Sequence, residues 1–344
     1  MNTLFVIDPL AGLRADIDAS VGLMDACQSE GAEIWVCEPA QLGVTGGRVL
    51  ARARRLLLRP RHRGADHRWI IEPKWYDEVE RAVLDVAASV DLVWLRIDPP
   101  VDARYLHTTY LLDLAAEAGV AVVNHPSGVR ALHEKLLTLQ LPDLCPATLV
   151  TADAGEVEQF VAAYGAAVVK PVDGFAGTDV WLLEPGRACR ALAESATAGD
   201  RHVIVQDYLP AVAAGNKRLF LLDGEIHGAV HRRPSDQDFR IGPPVEAAGV
   251  DEHDRRIAAA VAPILTGHGI AVAGLDVIDG RLIEVNVTCP GGMHKTDALL
   301  GTDLSGDIVR RLLTPSTREE PPCPLSPSSA SPSWASCSSS SAPT

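Results

Sequence analysis

The first third of the chain alternates short apolar runs with longer amphipathic stretches. The apolar runs are each four residues long and span residues 4–7, 34–37, 92–95 and 120–123. Helical periodicity appears at residues 17–28 and 105–118. Apolar runs separated by helical segments are typical of strands that crossover helices bury on both faces. The pattern therefore predicts an α/β layer with a mainly parallel sheet over residues 1–124.

Beyond residue 125 the predicted elements become shorter, which indicates a second domain over residues 125–314. Helices are predicted at 129–139, 156–164, 252–265 and 303–313, and strands at 148–150, 167–170, 180–183, 203–207, 218–222, 273–278 and from 281 onward. Asp153 is placed to cap the helix at 156–164, with Glu156 completing a capping box. Residues 315–344 are rich in serine and proline, so we predict a disordered tail there.

Composition limits the classes of function. The chain has 344 residues, 47% of them hydrophobic, and a net charge of -14. This length predicts two or three domains, and the negative charge disfavours nucleic acid and anionic membranes, so the expected partners are small molecules. No apolar run is long enough to cross a bilayer, and the N-terminal run carries Asp8 instead of a basic start. We therefore expect a cytoplasmic protein.

Two side-chain types are distributed unusually. The seven cysteines are scattered and contain no CxxC pair, which indicates reduced, structural thiols. Seven arginines cluster within residues 48–63, the arginine-rich segment. Two interpretations of this segment remain open, because it fits either a solvated loop or hairpin or a cap over an anionic substrate.

A candidate metal site lies in a predicted hairpin near the C-terminus. Asp279 and Gly280 are a strong turn signal between two strands. Glu284 and Asn286 are two residues apart, so their oxygen atoms share one face of the second strand. A two-residue turn would direct Asp276 to the other face, whereas a three-residue loop ending at Gly280 would add it to the same face. The metal hypothesis requires the longer loop, and the alternative is a hairpin whose polar residues face water.

A candidate phosphate clamp precedes this hairpin in the chain. Lys170 ends a predicted strand, and the turn after it contains Gly174 and Gly177, whose backbone amides could converge on phosphate oxygens. An exposed lysine before an ordinary turn would give the same pattern. Lys135, on a predicted helix, could reach the same nucleotide, although a lysine in such a position is more often solvated. The strand at 203–207 leads into a linker suited to an adenine edge.

The ordered set of two lysines, a glycine turn, a strand with its linker and an acidic hairpin resembles the ATP-grasp ligases. Within them it is similar to the bacterial glutathione synthetase family over residues 3–313. The resemblance implies an ATP-grasp fold preceded by an N-terminal parallel-sheet α/β domain. It also implies that ATP activates a carboxylate as an acyl phosphate, which an amine attacks to give an amide and ADP. The motifs that carry it include Val123-Asn-His-Pro126, Lys170-Pro-Val-Asp-Gly174, Gln206-Asp-Tyr-Leu-Pro210 and Glu284-Val-Asn-Val-Thr288.

The same resemblance implies roles for particular residues. Catalysis would depend on Arg218 and Lys170, because cations around the developing charge supply most of the catalysis of phosphoryl transfer. The cofactors implied are ATP and Mg²⁺, for which Mn²⁺ could substitute. The metal ligands implied are Asp276, Glu284 and Asn286. The nucleotide contacts implied are Lys135, Lys170, Gly174, Gly177, Gln206, Asp207, Tyr208, Leu209 and Asn216.

The substrate side departs from the family pattern. Residues 234–244 lack the family's glycine-rich pattern, residues 290–296 also differ, and Asn216 stands where an acid usually contacts ribose. Arg96, at the carboxyl end of a predicted parallel strand, is the first candidate to contact a substrate carboxylate, and the alternative is a surface arginine paired with Asp98. The other substrate candidates are Asn124, Arg233 and, through their backbone amides, Gly291 and Gly292.

The leading hypothesis is an ATP- and Mg²⁺-dependent carboxylate-amine ligase that makes glutathione from γ-glutamylcysteine and glycine. The altered substrate segments keep open a ligase that joins glutamate, a γ-glutamyl group or another amino acid to a different amine. A nucleotide-binding protein without turnover is a hypothesis of another class, and so is a nucleic-acid-binding module that uses the arginine-rich segment. The resemblance also implies a homo-oligomer.

Overall fold

The structure, a computed structural model, describes residues 1–64, 69–174, 177–235 and 238–313. It is a mixed α/β protein, as the sequence predicts. The tail at 315–344, predicted to be disordered, lies outside the described residues. Within the described ranges, we find no helix with both the length and the apolar character needed to cross a bilayer.

The N-terminal part is a seven-stranded sheet flanked by helices. Four neighbouring strands, in the order β2-β1-β8-β9 with β9 at the edge, are parallel, and β3, β4 and β7 extend the sheet beyond β2 with antiparallel pairing. On β1, Leu4, Phe5 and Val6 are fully buried, which explains why this run is uniformly apolar. The elements are β1 (Asn2–Ile7), α1 (Ala19–Ser29), β2 (Glu33–Cys37), β3 (Leu42–Thr45), β4 (Arg48–Leu58), β5 (His62–Arg63), β6 (Trp69–Ile70), β7 (Tyr76–Asp85), α2 (Val86–Ser89), β8 (Leu92–Arg96), α3 (Ala103–Glu117) and β9 (Ala121–Val123).

Most of the arginine-rich segment is strand β4, which forms a long hairpin with β7. The period of two along β4 buries Ala51 and Ala53 in the core and directs arginines outward. Arg55 pairs with Glu80 at 3.0 Å, and Arg59 pairs with Asp77 at 2.8 Å. These acidic partners neutralise the arginines on the sheet, so the hairpin interpretation is correct for this part of the segment.

The C-terminal part contains two antiparallel sheets that face each other across a cleft. A four-stranded sheet has the order β10-β13-β11-β12, and a five-stranded sheet has the order β16-β15-β14-β17-β18. Helices α5 and α6 pack on the smaller sheet around Val157, Val169 and Ala193. The elements are α4 (Pro126–Ala131), β10 (Thr148–Thr151), α5 (Ala154–Tyr164), β11 (Ala167–Pro171), β12 (Trp181–Leu183), α6 (Arg187–Ala196), β13 (Val203–Asp207), β14 (Asn216–Leu222), β15 (Glu225–Ser235), β16 (Asp238–Ala247), α7 (Glu252–Gly267), β17 (Val272–Ile278), β18 (Arg281–Asn286), α8 (Met293–Leu300) and α9 (Leu304–Leu313).

Two local predictions in this part were wrong because other hydrogen bonds compete, one of them long-range and one local. The predicted helix at 129–139 is instead α4 followed by a turn that contains Lys135, and the backbone carbonyl of Glu134 in that turn accepts from Val285 of β18 at 2.9 Å. Asp153 caps α5 through the backbone amides of its first turn, as predicted. Glu156 does not complete a box, because its carboxylate accepts the hydroxyl of Thr151.

Asn124 joins the N-terminal sheet to the C-terminal part. Its Nδ2 donates to the carbonyl oxygens of Val272 and Val287, both at 2.7 Å, and its Oδ1 accepts from the backbone amides of Ala271 and Val272 at 3.0 and 2.9 Å. These four bonds use the whole hydrogen-bonding capacity of the amide, which is only 4% exposed. The prediction that Asn124 contacts substrate was therefore wrong, because the residue is a structural link.

We predict that Asn124→Asp destabilises the protein by about 3–5 kcal/mol, since a buried carboxylate would face two carbonyl oxygens in place of an amide donor. Thermal and urea unfolding measure the loss. Glu117→Gln on the exposed side of α3 is the control, and it should leave the unfolding midpoint unchanged. An Asn124→Asp midpoint within the error of the control would contradict this role.

Candidate active site

A cavity of about 950 Å³ separates the two C-terminal sheets. Lys170 of β11 and residues 206–209, at the end of β13 and just beyond it, line one wall, and Arg218 and Glu284 of the larger sheet line the opposite wall. The N-terminal part closes one end of the cavity, where Trp69 is exposed to it. A space of this size accommodates a nucleotide together with a second small molecule.

The hairpin of β17 and β18 brings the acidic residues together, although not by the longer loop that we expected. Its turn has two residues, Asp279 and Gly280, both with positive φ. Asp276 nevertheless lies opposite Glu284, because the register shifts by one residue between Asp276 and Val277 and leaves Ile283 as the extra residue of β18. Without this β-bulge, a two-residue turn would place Asp276 and Glu284 on opposite faces of the sheet; with it, the two side chains share one face.

The centre of the site is a buried carboxylate shared by two arginines. Arg218 binds Asp276 with two parallel hydrogen bonds, Nε to Oδ1 at 2.5 Å and Nη2 to Oδ2 at 2.8 Å. Arg232 approaches the same Oδ1 through Nη2 at 2.7 Å. Burial by itself would raise the pKa of Asp276, but the two guanidinium groups outweigh it and lower the pKa to about 2. Asp276 is therefore ionised at neutral pH and fixes both arginines.

On β15 it is Arg232, and not the predicted substrate residue Arg233, that lines the cavity. Arg233 is exposed and pairs with Glu246 at 2.5 Å, whereas Arg232 faces the cavity. Adjacent residues of a strand point to opposite faces, so only one of the two can reach the site. The signal that could have identified Arg232 is the pairing of β14 with β15, in which Arg232 lies opposite Asn216 and donates to its Oδ1 at 3.0 Å.

Both predicted phosphate-binding lysines lie at the cavity and are largely buried. Lys170 is 8% exposed, and among the described residues its ammonium makes neither a hydrogen bond nor an ion pair. Burial therefore lowers the pKa of Lys170. Lys135 donates to the carbonyl oxygen of Gly174 and lies 3.3 Å from a Glu284 oxygen. The interpretation of Lys170 as an ordinary exposed lysine is excluded by this burial.

Glu134 also lines the cavity, and no role for it was predicted from the sequence. Its Oε1 accepts from the backbone amides of Val287 and Thr288 at 2.8 and 2.9 Å, and from the Thr288 hydroxyl at 2.8 Å. The turn that carries Lys135 is thereby tied to the end of β18. Glu134 positions one lysine relative to the acidic hairpin.

The remaining predicted nucleotide residues also line the cavity. Gln206 is 4% exposed, and its Nε2 donates to the Thr148 hydroxyl at 3.1 Å. The carbonyl oxygen of Gly177 accepts from Arg240 of β16 at 3.3 Å, so the β15–β16 hairpin contacts the glycine turn across the cavity. The others that line the cavity are Gly174, Asp207, Tyr208, Leu209 and Asn216.

The substrate candidates fall in two groups. Gly291 and Gly292 line the cavity, and Gly292 has a φ of +92° at the position before α8, a helix that we did not predict. Arg96 is only 5% exposed, and it donates to Ser20 Oγ at 3.1 Å and to the carbonyl oxygen of Pro290 at 3.2 Å. It is therefore not a surface arginine. Direct contact of Arg96 with a substrate would require the loop at Pro290 to move.

The donor set of the hairpin fits a hard divalent cation. Asp276, Glu284 and Asn286 offer carboxylate and amide oxygens, the ligand types that Mg²⁺ prefers. Asn286 Nδ2 donates to the carbonyl oxygen of Gly274 at 3.1 Å, which leaves its Oδ1 as the ligand atom. Within the described residues no group of three or more His, Cys, Asp or Glu could hold a metal, so a cation here would depend on Asn286 and on phosphate oxygens.

Structural comparison defines the class of protein. The chain superposes on D-cycloserine synthetase DcsG with a TM-score of 0.58 at 20% identity, covering 90% of this chain and 98% of that one. The ATP-grasp ligase PsnB, complexed with a minimal precursor, gives a TM-score of 0.58 at 17% identity over 90% and 97% of the two chains. The fold is the ATP-grasp fold.

Sequence comparison then identifies the family. Residues 1–130 match the N-terminal domain of prokaryotic glutathione synthetase, and residues 134–301 match its ATP-grasp domain. The glutathione synthetase of Thermosynechococcus vestitus is 39% identical over 322 residues, 91% of this chain and 100% of the relative. That of Synechococcus elongatus is 40% identical over 91% and 98% of the two chains. The chain belongs to the prokaryotic glutathione synthetase family, and it is an ATP-dependent carboxylate-amine ligase.

We predict that Lys170→Met weakens ATP binding by about 10- to 100-fold, because a charge-assisted hydrogen bond to phosphate is lost. Calorimetric titration with ATP measures this. Between the lowered pKa of Lys170 and its ordinary value of 10.5, the unfolded chain binds a proton that the folded protein does not, so stability rises with pH in that window. The variant without nucleotide should lose this rise and unfold at the same or a higher temperature.

Lys74→Met is the control for this experiment, since Lys74 is exposed and pairs with Asp77. It should leave ATP affinity unchanged. Unaltered ATP affinity in Lys170→Met would contradict the assignment of Lys170 to phosphate.

Proposed function

We propose that this ligase joins γ-glutamylcysteine to glycine, using MgATP to activate the cysteinyl carboxylate. The observation that carries the proposal is the central cluster, in which Arg218 and Arg232 are held by Asp276 beside Glu284 in the cavity. The glutathione synthetases that align over nearly their whole length support the choice of substrates.

The nucleotide would lie between the two C-terminal sheets. Lys135, Lys170, Arg218 and Arg232 all line the cavity between the sheets. Four cations in one cavity complement the charge of a polyphosphate. The sequence from Gln206 to Leu209 would contact the adenine edge, as expected of a linker that exposes backbone donors and acceptors.

Catalysis in this site is mainly electrostatic. The donor carboxylate attacks the γ-phosphorus of ATP, and ADP leaves with the electrons of the broken P–O bond. The amine then attacks the acyl carbon, and phosphate leaves. Negative charge develops on the transferred phosphoryl group and then on the acyl oxygen, and both can be stabilised by Arg218 and Arg232 because Asp276 already orients them.

Mg²⁺ would be held by Asp276, Glu284 and Asn286, and when bound it neutralises phosphate charge. In the structure, Asp276 Oδ1 receives both arginines and Glu284 lies near Lys135. The two arginines keep the Asp276 carboxylate ionised, and both carboxylates line the cavity. The fit of these oxygen ligands supports the cofactor assignment.

The β15–β16 hairpin would protect the acyl phosphate from water. Arg240, Ile241 and Val245 of this hairpin line the cavity, and Arg240 reaches the carbonyl oxygen of Gly177. Excluding water matters because an acyl phosphate that meets water is hydrolysed, and the ATP is then consumed without product.

A ligase for another amine or another γ-glutamyl donor is the second candidate. Residues 234–244 and 290–296 depart from the family pattern, and Arg240, Gly291 and Lys295 in these segments line the cavity. A changed cavity lining on the substrate side favours a changed substrate. Such a ligase would keep the same nucleotide chemistry. Loss of turnover is disfavoured because Lys170, Arg218, Asp276 and Glu284 all converge on the cavity.

We further propose that residues 1–124 form the substrate-side domain and residues 125–314 the catalytic domain. The end of the parallel sheet at β9 and the joint at Asn124 support this division. We propose a homo-oligomer that acts on small molecules in the cytoplasm, without a nucleic-acid or membrane partner.

The test is ADP release with MgATP against a panel of γ-glutamylcysteine, free glutamate and other amino acids, each paired with glycine or larger amines, with product masses recorded. We expect the glutathione mass to give the highest kcat/KM. A different γ-glutamyl or dipeptide mass would favour the second candidate. No ADP release with any pair would contradict ligase activity.

We predict that Glu284→Gln lowers turnover by about a hundredfold or more, because a metal-binding carboxylate is removed from the reacting phosphates. The fold should persist, since Glu284 faces the cavity and not the core. Turnover measured against Mg²⁺ concentration, together with thermal unfolding, separates these effects.

Glu225→Gln, at an exposed hairpin position, is the matched control and should retain full activity. Normal activity and unchanged Mg²⁺ dependence in Glu284→Gln would rule out the metal assignment.

A further inference from the structure

The segment between β4 and β7 leaves the N-terminal sheet and lies on the first turn of α8 in the C-terminal part. Its two short strands, β5 and β6, pair with each other and not with the main sheet. We call the described part of this segment, residues 59–64 and 69–75, the strap. Trp69 of the strap lines the active-site cavity.

Trp69 is held in place by three contacts, two with His294 and one with Arg61. Its ring stacks on His294 of α8 with the centroids 4.9 Å apart and the planes 10° from parallel, and its Nε1 donates to the His294 carbonyl oxygen at 3.3 Å. The guanidinium carbon of Arg61 lies 4.1 Å from the Trp69 ring centroid. A stacked ring and a cation over an indole each contribute about 0.5–1.5 kcal/mol, so the orientation of the indole is well defined.

Arg61 is itself anchored on both sides. Its Nη2 lies 2.6 Å from Asp25 of α1, and its Nη1 lies 2.7 Å from His294 Nε2. The side chain is only 10% exposed, unlike the arginines on the outer face of β4. This residue of the arginine-rich segment therefore connects α1 with α8 and supports Trp69 between them.

The end of the cavity beside Trp69 combines apolar surface with charges of both signs. Ile17 and Leu299 contribute apolar surface to the cavity lining, Lys295 contributes a cation, and Arg14 and Asp16 contribute charges that pair with each other at 3.2 Å. An amino-acid end, with an ammonium, a carboxylate and a short aliphatic body, complements this mixture.

The donor has to extend toward this end. Its reacting carboxylate must lie near Arg218 and Glu284, and the nucleotide occupies the side of Lys170 and residues 206–209. The rest of the donor therefore points away from the nucleotide, toward Trp69 and the N-terminal part.

We propose that Trp69, supported by Arg61 and His294, is a specificity-determining wall for the carboxylate donor and packs against the aliphatic part of its γ-glutamyl end. This assignment rests on the proposed function for the identity of the donor. Arg61 is a positioning residue, since it acts through Trp69. A wall that is already oriented reduces the entropy cost of binding a small, flexible donor.

The test compares KM for γ-glutamylcysteine and for ATP in Trp69→Ala, Trp69→Phe and the wild type. We expect Trp69→Ala to raise the donor KM about tenfold, equivalent to about 1.4 kcal/mol, with the ATP KM within about twofold of the wild type. Trp69→Phe keeps an aromatic wall and should remain near the wild type. Equal rises in both KM values, or no rise in either, would overturn the proposal.

Arg61 is tested through its coupling to Trp69. Arg61→Ala should raise the donor KM about threefold, and Arg61→Lys, which keeps the charge over the ring, should restore most of the loss. Adding Arg61→Ala to Trp69→Ala should have no further effect, because the positioned ring is already absent. Additive effects would overturn the positioning role. Arg55→Ala, on the outer face of the same hairpin, is the control and should leave both KM values unchanged.

Donor binding without turnover separates this proposal from the proposed function. Calorimetric titration of γ-glutamylcysteine, and of any other donor that the product panel identifies, is carried out with Mg²⁺ and ADP present. If the wild type uses another donor, the assignment of substrate fails while Trp69→Ala still weakens binding of that donor. If donor affinity is the same in the wild type and in Trp69→Ala, the wall proposal fails whatever the substrate.

Discussion

Two guanidinium groups share one buried carboxylate at the centre of this protein, and much of the site depends on that arrangement. Asp276 is 5% exposed and Arg218 is 6% exposed, so neither charge is solvated by bulk water. Removing one partner from such a cluster would leave an uncompensated buried charge, at a cost of about 3–5 kcal/mol. A buried ion pair contributes little net stability compared with apolar packing. In the function that we propose, the cluster serves to hold two cations at the place where charge develops.

The frame around the cluster is built so that each charged group has a defined position. The bulge at Ile283 turns Glu284 to the side of Asp276, and Glu134 ties the Lys135 turn to the end of β18. Asn124 joins the N-terminal sheet to the strands that carry the acids. Each device satisfies buried polar groups and places a side chain at the same time, which is how a rigid scaffold pre-organises a polar site.

The two ends of the cavity differ in chemistry, and in the function that we propose this difference orders the reactants. Lys135 and Lys170 lie on the side suited to phosphate, whereas the end near Trp69 carries charges of both signs. The arginine-rich segment contributes in two ways. Along β4 its arginines pair with acids on the sheet, and beyond the strand Arg61 supports the wall of the cavity. The hairpin interpretation therefore holds along β4, and the cap over an anionic substrate stays a prediction.

The sequence by itself determined the class of fold and the principal chemical groups. Local patterns along the chain were enough to identify the apolar runs of the parallel strands, the lysine before a glycine turn, and two oxygen ligands that are two residues apart. None of these features requires knowledge of distant contacts. Only the tertiary structure decided which face Asp276 occupies, that Arg232 and not Arg233 enters the cavity, that Asn124 is a structural link, and that Trp69 reaches the active site. These outcomes depend on strand register and on contacts between residues more than a hundred positions apart, such as those of Asn124 with Val272 and of Trp69 with His294. Local patterns carry no information about such pairs, because they form only when whole sheets pack against each other.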